Sequence, residues 1–390
     1  MLGGQVSSKI RVAFSPSSNS SWMGGVNYYK NLFYALKKHA QNEIEIVIFL
    51  PKTSDLSVVN NYLELVDECH YVNFLCKKRL AGFFSKVESH ILGSSYLLET
   101  LIKPFGIDII SHTDFASSKN VKTIGWIPDF QHLHLPEMFS SKEIARRNKS
   151  FMNLIQRVDA VFLSSFDAFQ DFKNFSHNNI HKAKVLRFVS QPDERYFLLN
   201  DQDKMVLVNK YNLPEIFFYL PNQFWKHKNH MLAFEAVKLL KEQGEKICLV
   251  CTGNLKDYRS PDYIKEIQSF ISLNKLEDNI RLLGIVPYNE VFALIKYSQA
   301  VINPSLFEGW SSTVEECKSV GKTIVISDIC VHKEQAPNAI FFDKYSHESL
   351  AKALACFTEQ RAATKSDLEQ RTKDYALTYI SIVKRVLSDQ

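Results

Sequence analysis

An α/β chain of two similar halves, each a parallel sheet flanked by helices, is predicted by three observations. Short β-branched runs alternate with stretches of helical period along almost the whole sequence. The alternation lapses once, in the polar and mixed stretch from Ser190 to Leu213. The length, 390 residues, is more than twice the ~150 residues of an ordinary domain. Two Rossmann-like halves facing a cleft satisfy all three, and such sheets bind ligands beyond the carboxyl ends of their strands.

In the first half the predicted strands are Arg11–Ser15, Glu45–Phe49, Tyr71–Leu75, Asp108–Ser111, Thr123–Ile127, Ala160–Leu163 and Val185–Val189. Between the first two, Val26, Tyr29, Leu32, Phe33 and Leu36 recur at helical spacing, so a helix is expected over Gly25–Ala40. The second half repeats the pattern with strands at Phe217–Leu220, Ile247–Thr252, Ile280–Leu283, Ala300–Asn303 and Thr323–Ser327. Helices fit Asn229–Glu242, Asp262–Leu273, Tyr288–Tyr297, Ser312–Val320 and Ser346–Thr358. A last amphipathic helix, Asp367–Leu387, carries Ala376, Tyr379, Ile380, Val383, Val386 and Leu387 on one stripe. The expected organisation is a domain over 1–200, a second over 201–366 and a C-terminal helix over 367–390.

Composition narrows the function classes. Charges of 47 Lys and Arg against 42 Asp and Glu leave a net +5 with no long basic tract, which does not favour a dedicated nucleic-acid binder. No apolar run reaches the ~18 residues of a spanning helix, and the N-terminus lacks the three-part secretory pattern, so a cytoplasmic protein is expected. Seven scattered cysteines fit a reducing compartment. Cys248 and Cys251 lie on one strand and point to opposite faces, so buried thiols rather than a metal pair are expected there. Glycine is scarce, 13 in all, about 3% against a usual ~7%, so its positions carry information.

The most informative segment is NPSLFEGWSSTVEECKSVG, residues 303–321. A strand ends, a Pro-Ser loop follows, and a helix begins near Ser312. The free N–H groups of such a turn favour an anion, and Ser311, Ser312 and Thr313 suit it as caps or donors. Glu316 falls about one turn into the helix, eight residues after Glu308. Read by spacing alone, it is either a carboxylate accepting sugar hydroxyls or half of a solvated Glu315-Glu316 pair on a capped helix.

This segment resembles the E-x7-E motif of retaining GT-B glycosyltransferases of the GT4 type (glycosyltransferase group 1). Glu308 and Glu316 match its two glutamates; Pro304, Ser305, Gly309, Gly321 and the following TIVISD strand with Asp328 match its surroundings. The resemblance extends from Lys9 to about Leu387. It implies a GT-B fold with an N-terminal acceptor domain, a C-terminal nucleotide-sugar donor domain and a last helix that crosses back to the first domain. It implies that Glu316 holds the ribose hydroxyls, that Glu308 contacts the donor sugar, and that the amides from Gly309 to Thr313 cradle the diphosphate, beside Ser305. Trp310, where relatives carry Phe or Tyr, either flanks the sugar or packs.

Three further segments complete the implied site. In LPNQFWKHKNH (220–230), Lys228-Asn229 resembles the family's Lys-Asn, whose lysine meets the charge gained by the leaving diphosphate. The family's preceding arginine is replaced by Gln223, with Lys226, His227 or His230 as candidates to compensate. Gly24-Gly25 resembles the Gly-Gly loop that admits backbone to the donor phosphate; its rival is a flexible turn. In GWIPDFQHLHLPEMFS (125–140), Pro128-Asp129 stands where relatives carry His-Asp. Asp129 then bonds an acceptor hydroxyl or caps the turn, and His132 or His134 replaces the absent histidine or packs. Gly253 and the backbone around Val286 end the next two strands, beside the nucleotide in the family.

The resemblance implies a hexosyltransferase acting from a nucleoside diphosphate sugar onto a glycan or lipid-linked glycan, metal-independent and without other cofactors. The alternatives are an NDP-sugar 2-epimerase on the same fold and a two-lobed non-enzymatic sugar-binding protein. Lys77, Lys78, Arg79, Phe83, Phe84 and Lys86 mix cations with aromatics and suit either peripheral membrane contact or a solvated helix edge.

Overall fold

The computed structural model describes residues 9–18, 23–72, 96–118, 120–192, 194–255, 257, 259–357 and 365–389. The cation-aromatic segment at 77–86 lies outside them. The chain divides into two units, one of Met1–Phe130, Ser140–Val189 and Gln370–Gln390, the other of Gln131–Phe139 and Ser190–Glu369. The last helix, Lys365–Ser388, therefore joins the first unit from Gln370 onward. Most of its predicted stripe is buried: Ala376, Tyr379, Ile380, Val383 and Val386 are all 5% exposed or less, while Leu387 is half-buried. Tyr379 packs its ring against Phe14 and Phe162.

In the first unit the strands are β1 (Ile10–Phe14), β2 (Ile44–Pro51), β3 (Glu68–Val72), β4 (Ile109–Ser111), β5 (Lys122–Ile127), β6 (Ala160–Leu163) and β7 (Ala183–Val185). They form a parallel sheet in the order β3-β2-β1-β4-β5-β6-β7. The second unit holds β8 (Phe218–Leu220), β9 (Leu249–Thr252), β10 (Ile280–Gly284), β11 (Val301–Asn303), β12 (Ile324–Ser327) and β13 (Ile340–Phe342). These are parallel in the order β10-β9-β8-β11-β12-β13. Both sheets run outward from a central pair, β1 and β4 or β8 and β11. The order reverses at that pair, and loops leaving its carboxyl ends diverge to opposite faces. The architecture is that of two Rossmann-like domains, each a parallel sheet with helices on its faces.

Several local expectations need correction. The predicted strand at 71–75 begins earlier, at Glu68, and that at 185–189 ends at Val185. β13 escaped prediction because a three-residue edge strand leaves little periodic signal. The stretch read as a connection contains a helix, Asp201–Tyr211. Only Leu207 is buried along it, so no apolar stripe betrays it. Its start is set by a capping box in which Asn200 and Asp203 exchange side chain-to-backbone bonds. Cys248 and Cys251 are both buried, Cys251 in the cluster with Phe218 and Leu220, Cys248 in the cluster with Phe217 and Tyr219. These clusters lie on opposite faces of one sheet, as strand alternation requires.

Candidate functional site

The second unit concentrates its buried polar side chains at the carboxyl ends of β8 and β11. After β8 the chain makes a 3-10 turn, Lys226–Lys228, closed by Asn229 in the left-handed conformation (φ 57°) before the helix His230–Glu242. Asparagine tolerates that conformation better than most residues, and its side-chain amide donates to Lys344 O at 3.1 Å. After β11 the chain runs through Pro304 and Ser305 to Glu308, and the helix Ser312–Val320 follows, ended by Gly321 at φ 68°.

Hydrogen bonds tie the two loops together. Leu306 N–H donates to His227 O at 2.8 Å. Asn222 Nδ2 donates to Asn303 Oδ1 at 3.1 Å, and Thr313 Oγ1 donates to Asn222 Oδ1 at 3.2 Å. Asn303 Nδ2 donates to Ser311 Oγ at 2.8 Å. Gly253, after β9, has φ 138°, and a Cβ there would stand 2.3 Å from Asn222 O. Only glycine lets the β8 and β9 loops approach this closely.

This scaffold brings Lys228 and Glu308 into contact. Lys228 Nζ donates to Glu308 Oε1 at 2.6 Å, and Ser305 Oγ donates to the same oxygen at 2.7 Å. The Glu308 side chain is 9% exposed. Burial alone would raise its pKa, but the adjacent ammonium overcomes that. With help from His332 and Ser305 it holds the carboxyl down at about 2, so Glu308 is ionised. Glu316 is buried too, and among the described residues no cation pairs with it. Burial raises it to about 7, opposed only by the Tyr288 hydroxyl, which donates to its Oε1 at 3.0 Å. The reading of a solvated Glu315-Glu316 pair is thus set aside: Glu315 is 1% exposed and bonded to Lys318 and Gln335.

The other predicted residues are spread over both units. Ser311 caps the helix at 312–320, and its N–H donates to Gln335 Oε1 at 3.1 Å, which engages one of the five amides expected to face a diphosphate. Ser312 is exposed at the helix start, Gly309 is half-buried, and Trp310 is buried with Lys318 Nζ 5.8 Å over its ring. Gln223 turns its amide oxygen to Asn254 N–H at 2.9 Å, bracing the β8 and β9 loops. Val286 is partly buried against the sheet cluster that includes Phe292. His132 is 1% exposed, its ring edge-on to Phe139, while His134 lies 4.9 Å ring-to-ring from Phe307, the neighbour of Glu308. Both belong to the second unit. Asp129, Gly24 and Gly25 belong to the first. The glycine pair lies within the helix Met23–His39 rather than in a loop before it, Gly25 being buried there.

Sequence reasoning missed Asn222, Arg259, Tyr288, Gln335 and His332. Asn222 and Tyr288 each stood beside a recognised turn, but only the fold shows their side chains meeting Thr313 and Glu316. Arg259 sits in a polar loop without motif. His332 is fully buried, donates from Nδ1 to Ser327 O at 2.9 Å, and is pushed down to about 4 by burial. Asp201 and Asp203 form an Asp-x-Asp triplet in the first turn of their helix, where Asp203 accepts the Asn200 N–H as a cap.

Comparison with known proteins follows this division. Residues 201–377 match the family of glycosyl transferases group 1. A stretch of 144 residues is 25% identical to the O-antigen chain mannosyltransferase RfbU of Salmonella typhimurium, covering 36% of this chain and 38% of that protein. The structure of Anabaena HepE in complex with UDP and glucose superposes with a TM-score of 0.70 at 14% identity, over 96% of this chain and 100% of the other. A glycosyltransferase from Rickettsia africae gives 0.67 at 15% identity, over 98% and 100%. Among the described residues no helix is long and apolar enough to cross a membrane. The loops that carry Lys228, Glu308 and Glu316 thus lie within the match to glycosyl transferases group 1, on a fold shared with glycosyltransferase structures along nearly the whole chain.

Proposed function

We propose that the protein transfers a hexose from a nucleoside diphosphate sugar to a hydroxyl of a glycan or lipid-linked glycan, with retention of configuration and without a metal. The observation that carries this reading is the buried Lys228–Glu308 pair at the carboxyl ends of the two central strands, with the buried Glu316 eight residues further along the chain. The names of the similar proteins, a mannosyltransferase and a UDP- and glucose-bound structure, agree with a sugar-nucleotide substrate.

In this reading Glu316, when ionised, accepts the ribose hydroxyls, and the start of the helix at 312–320 faces the diphosphate with its positive dipole end. Lys228 turns part of its charge from Glu308 to the diphosphate. As the bond between the anomeric carbon and the phosphate oxygen breaks, negative charge grows on that oxygen and the ammonium stabilises it. Glu308, fixed by Ser305 and Lys228, accepts a hydroxyl of the sugar. The acceptor hydroxyl adds to the same face, and its proton passes to the departing phosphate oxygen, so no enzymic nucleophile is consumed.

A thermal-shift panel of nucleotides and their sugars tests the substrate class, since a ligand at 100 times its Kd stabilises by about 2.7 kcal/mol. The Glu308→Gln variant tests the site. It should lose about a hundredfold or more in kcat while keeping its nucleotide affinity; an unchanged kcat removes Glu308 from the mechanism.

A further inference from the structure

The charge at the Lys228 turn is not adequate by itself for a diphosphate. Lys228 is matched one-to-one by Glu308 at 2.6 Å, so the pair is neutral before any anion arrives. Gln223, the residue that could have added a cation from the same loop, is committed to Asn254. A second cation reaches this place from a different loop. Arg259 follows β9, the strand beside β8, and its side chain is 11% exposed. Asp257 orients it by accepting Nε at 3.4 Å and the Arg259 N–H at 3.0 Å, while also accepting the N–H of Lys226, the first residue of the lysine turn, at 3.2 Å. One buried carboxylate thus pins the arginine to the turn that carries Lys228.

The guanidinium is held on its other sides as well. Its Cζ lies 5.3 Å from the Trp225 ring and 5.6 Å from the Phe139 ring, and Nη1 donates to Gln131 Oε1 at 3.3 Å. Nη2 donates to His227 Nδ1 at 3.4 Å, which leaves the imidazole proton on Nε2. His227 is 5% exposed, and burial together with the charges of both Lys228 and Arg259 keeps its ring neutral. Arg259 is itself paired with Asp257, as Lys228 is with Glu308, so an anion that meets both side chains gains charge-assisted donors from two cations where Lys228 alone supplies one.

We propose that Arg259 is the second cation of the diphosphate subsite, delivered from the β9 loop and fixed by Asp257, His227 and Trp225. The inference rests on the nucleoside diphosphate reading above. Arg259 then discriminates a diphosphate from a monophosphate, which Lys228 and the helix start alone do poorly.

Calorimetric titration tests this. The wild-type protein is titrated with UDP, GDP and ADP, and the tightest of them is taken forward with its monophosphate. Arg259→Gln should weaken the diphosphate about tenfold or more, as expected for the loss of one charge-assisted bond, and leave the monophosphate within about twofold. The slope of affinity against salt should fall for the diphosphate. Equal losses for both nucleotides, or no loss for either, make Arg259 a structural clamp and overturn the proposal. Should Arg259→Gln not fold, Arg259→Lys decides. It keeps the charge but loses the fork, so the ratio of diphosphate to monophosphate affinity must fall by about threefold or more; an unchanged ratio overturns the proposal. Wild-type protein that binds none of the three diphosphates refutes the substrate reading itself, which separates that failure from the failure of Arg259.

Discussion

The two units share a topology and differ in what they place at the same point of it. In each, the strand order reverses at a central pair, and the carboxyl ends of that pair form a switch point. In the second unit this point is occupied by Asn222, Asn303, Ser305, Lys228 and Glu308, charged, amide and hydroxyl groups bonded to one another. In the first it is occupied by aromatic rings around one histidine. His112, immediately after β4, takes a left-handed φ of 57° that is uncommon for a non-glycine residue. Its Nδ1 is 2.8 Å from Ser111 Oγ and its Nε2 is 2.7 Å from Tyr28 OH. Phe14, Tyr29, Trp126 and Phe162 surround it, and burial pushes its pKa down to about 3, so it is neutral. The fold supplies the position. The side chains decide whether that position holds charge or excludes it.

The comparison can be broken most forcefully at Lys228. Replacing it with alanine leaves the Glu308 carboxylate buried without its counter-charge, which costs about 3 kcal/mol in stability. Transfer should fall about a hundredfold or more through lost leaving-group stabilisation. Denaturant melts and steady-state rates check both. Unchanged transfer would mean that the charged switch point is only structural.

A smaller effect should appear at Glu316, which titrates at about 7 in the absence of ligand. The ionised form accepts hydroxyls, so nucleotide affinity should drop about tenfold as pH falls from 8 to 6. For folding the sign runs the other way. A carboxyl raised from 4.5 to about 7 costs stability as pH rises between those values. Glu316→Gln should therefore be more stable than wild type at pH 8, by about 3 kcal/mol, while binding nucleotide weakly and with a flat pH profile. Affinity measured from pH 6 to 8, with melting curves of the variant, settles the matter; a pH-independent wild type contradicts it.

The smallest effect is expected in the neutral switch point. Tyr28→Phe removes one hydrogen bond to His112 and should cost about 1 kcal/mol in stability. Nucleotide affinity in a binding titration should stay the same. A loss of affinity would show that the aromatic switch point also takes part in donor binding.

The scarce glycines repay the attention drawn by their number, though not uniformly. Gly253 and Gly321 do what the composition suggested, one admitting the Asn222 backbone, the other closing a helix in the left-handed region. Gly24 and Gly25 instead lie inside a helix, because spacing alone does not tell the last loop residue from the first helical turn.

Periodicity and motif determined the α/β class, the parallel sheets and the helix at 312–320, and singled out Lys228, Glu308 and Glu316 as candidates. These are properties of short windows, in which alternation, caps and turns are local. Tertiary structure alone decided that Lys228 and Glu308, eighty positions apart, share a hydrogen bond. It decided that Glu316 is buried against the Tyr288 hydroxyl and that Arg259 reaches the lysine turn through Asp257 and His227. Charge pairing and burial depend on distances between loops. Those distances are set by the order of strands in the sheet, which no local pattern encodes.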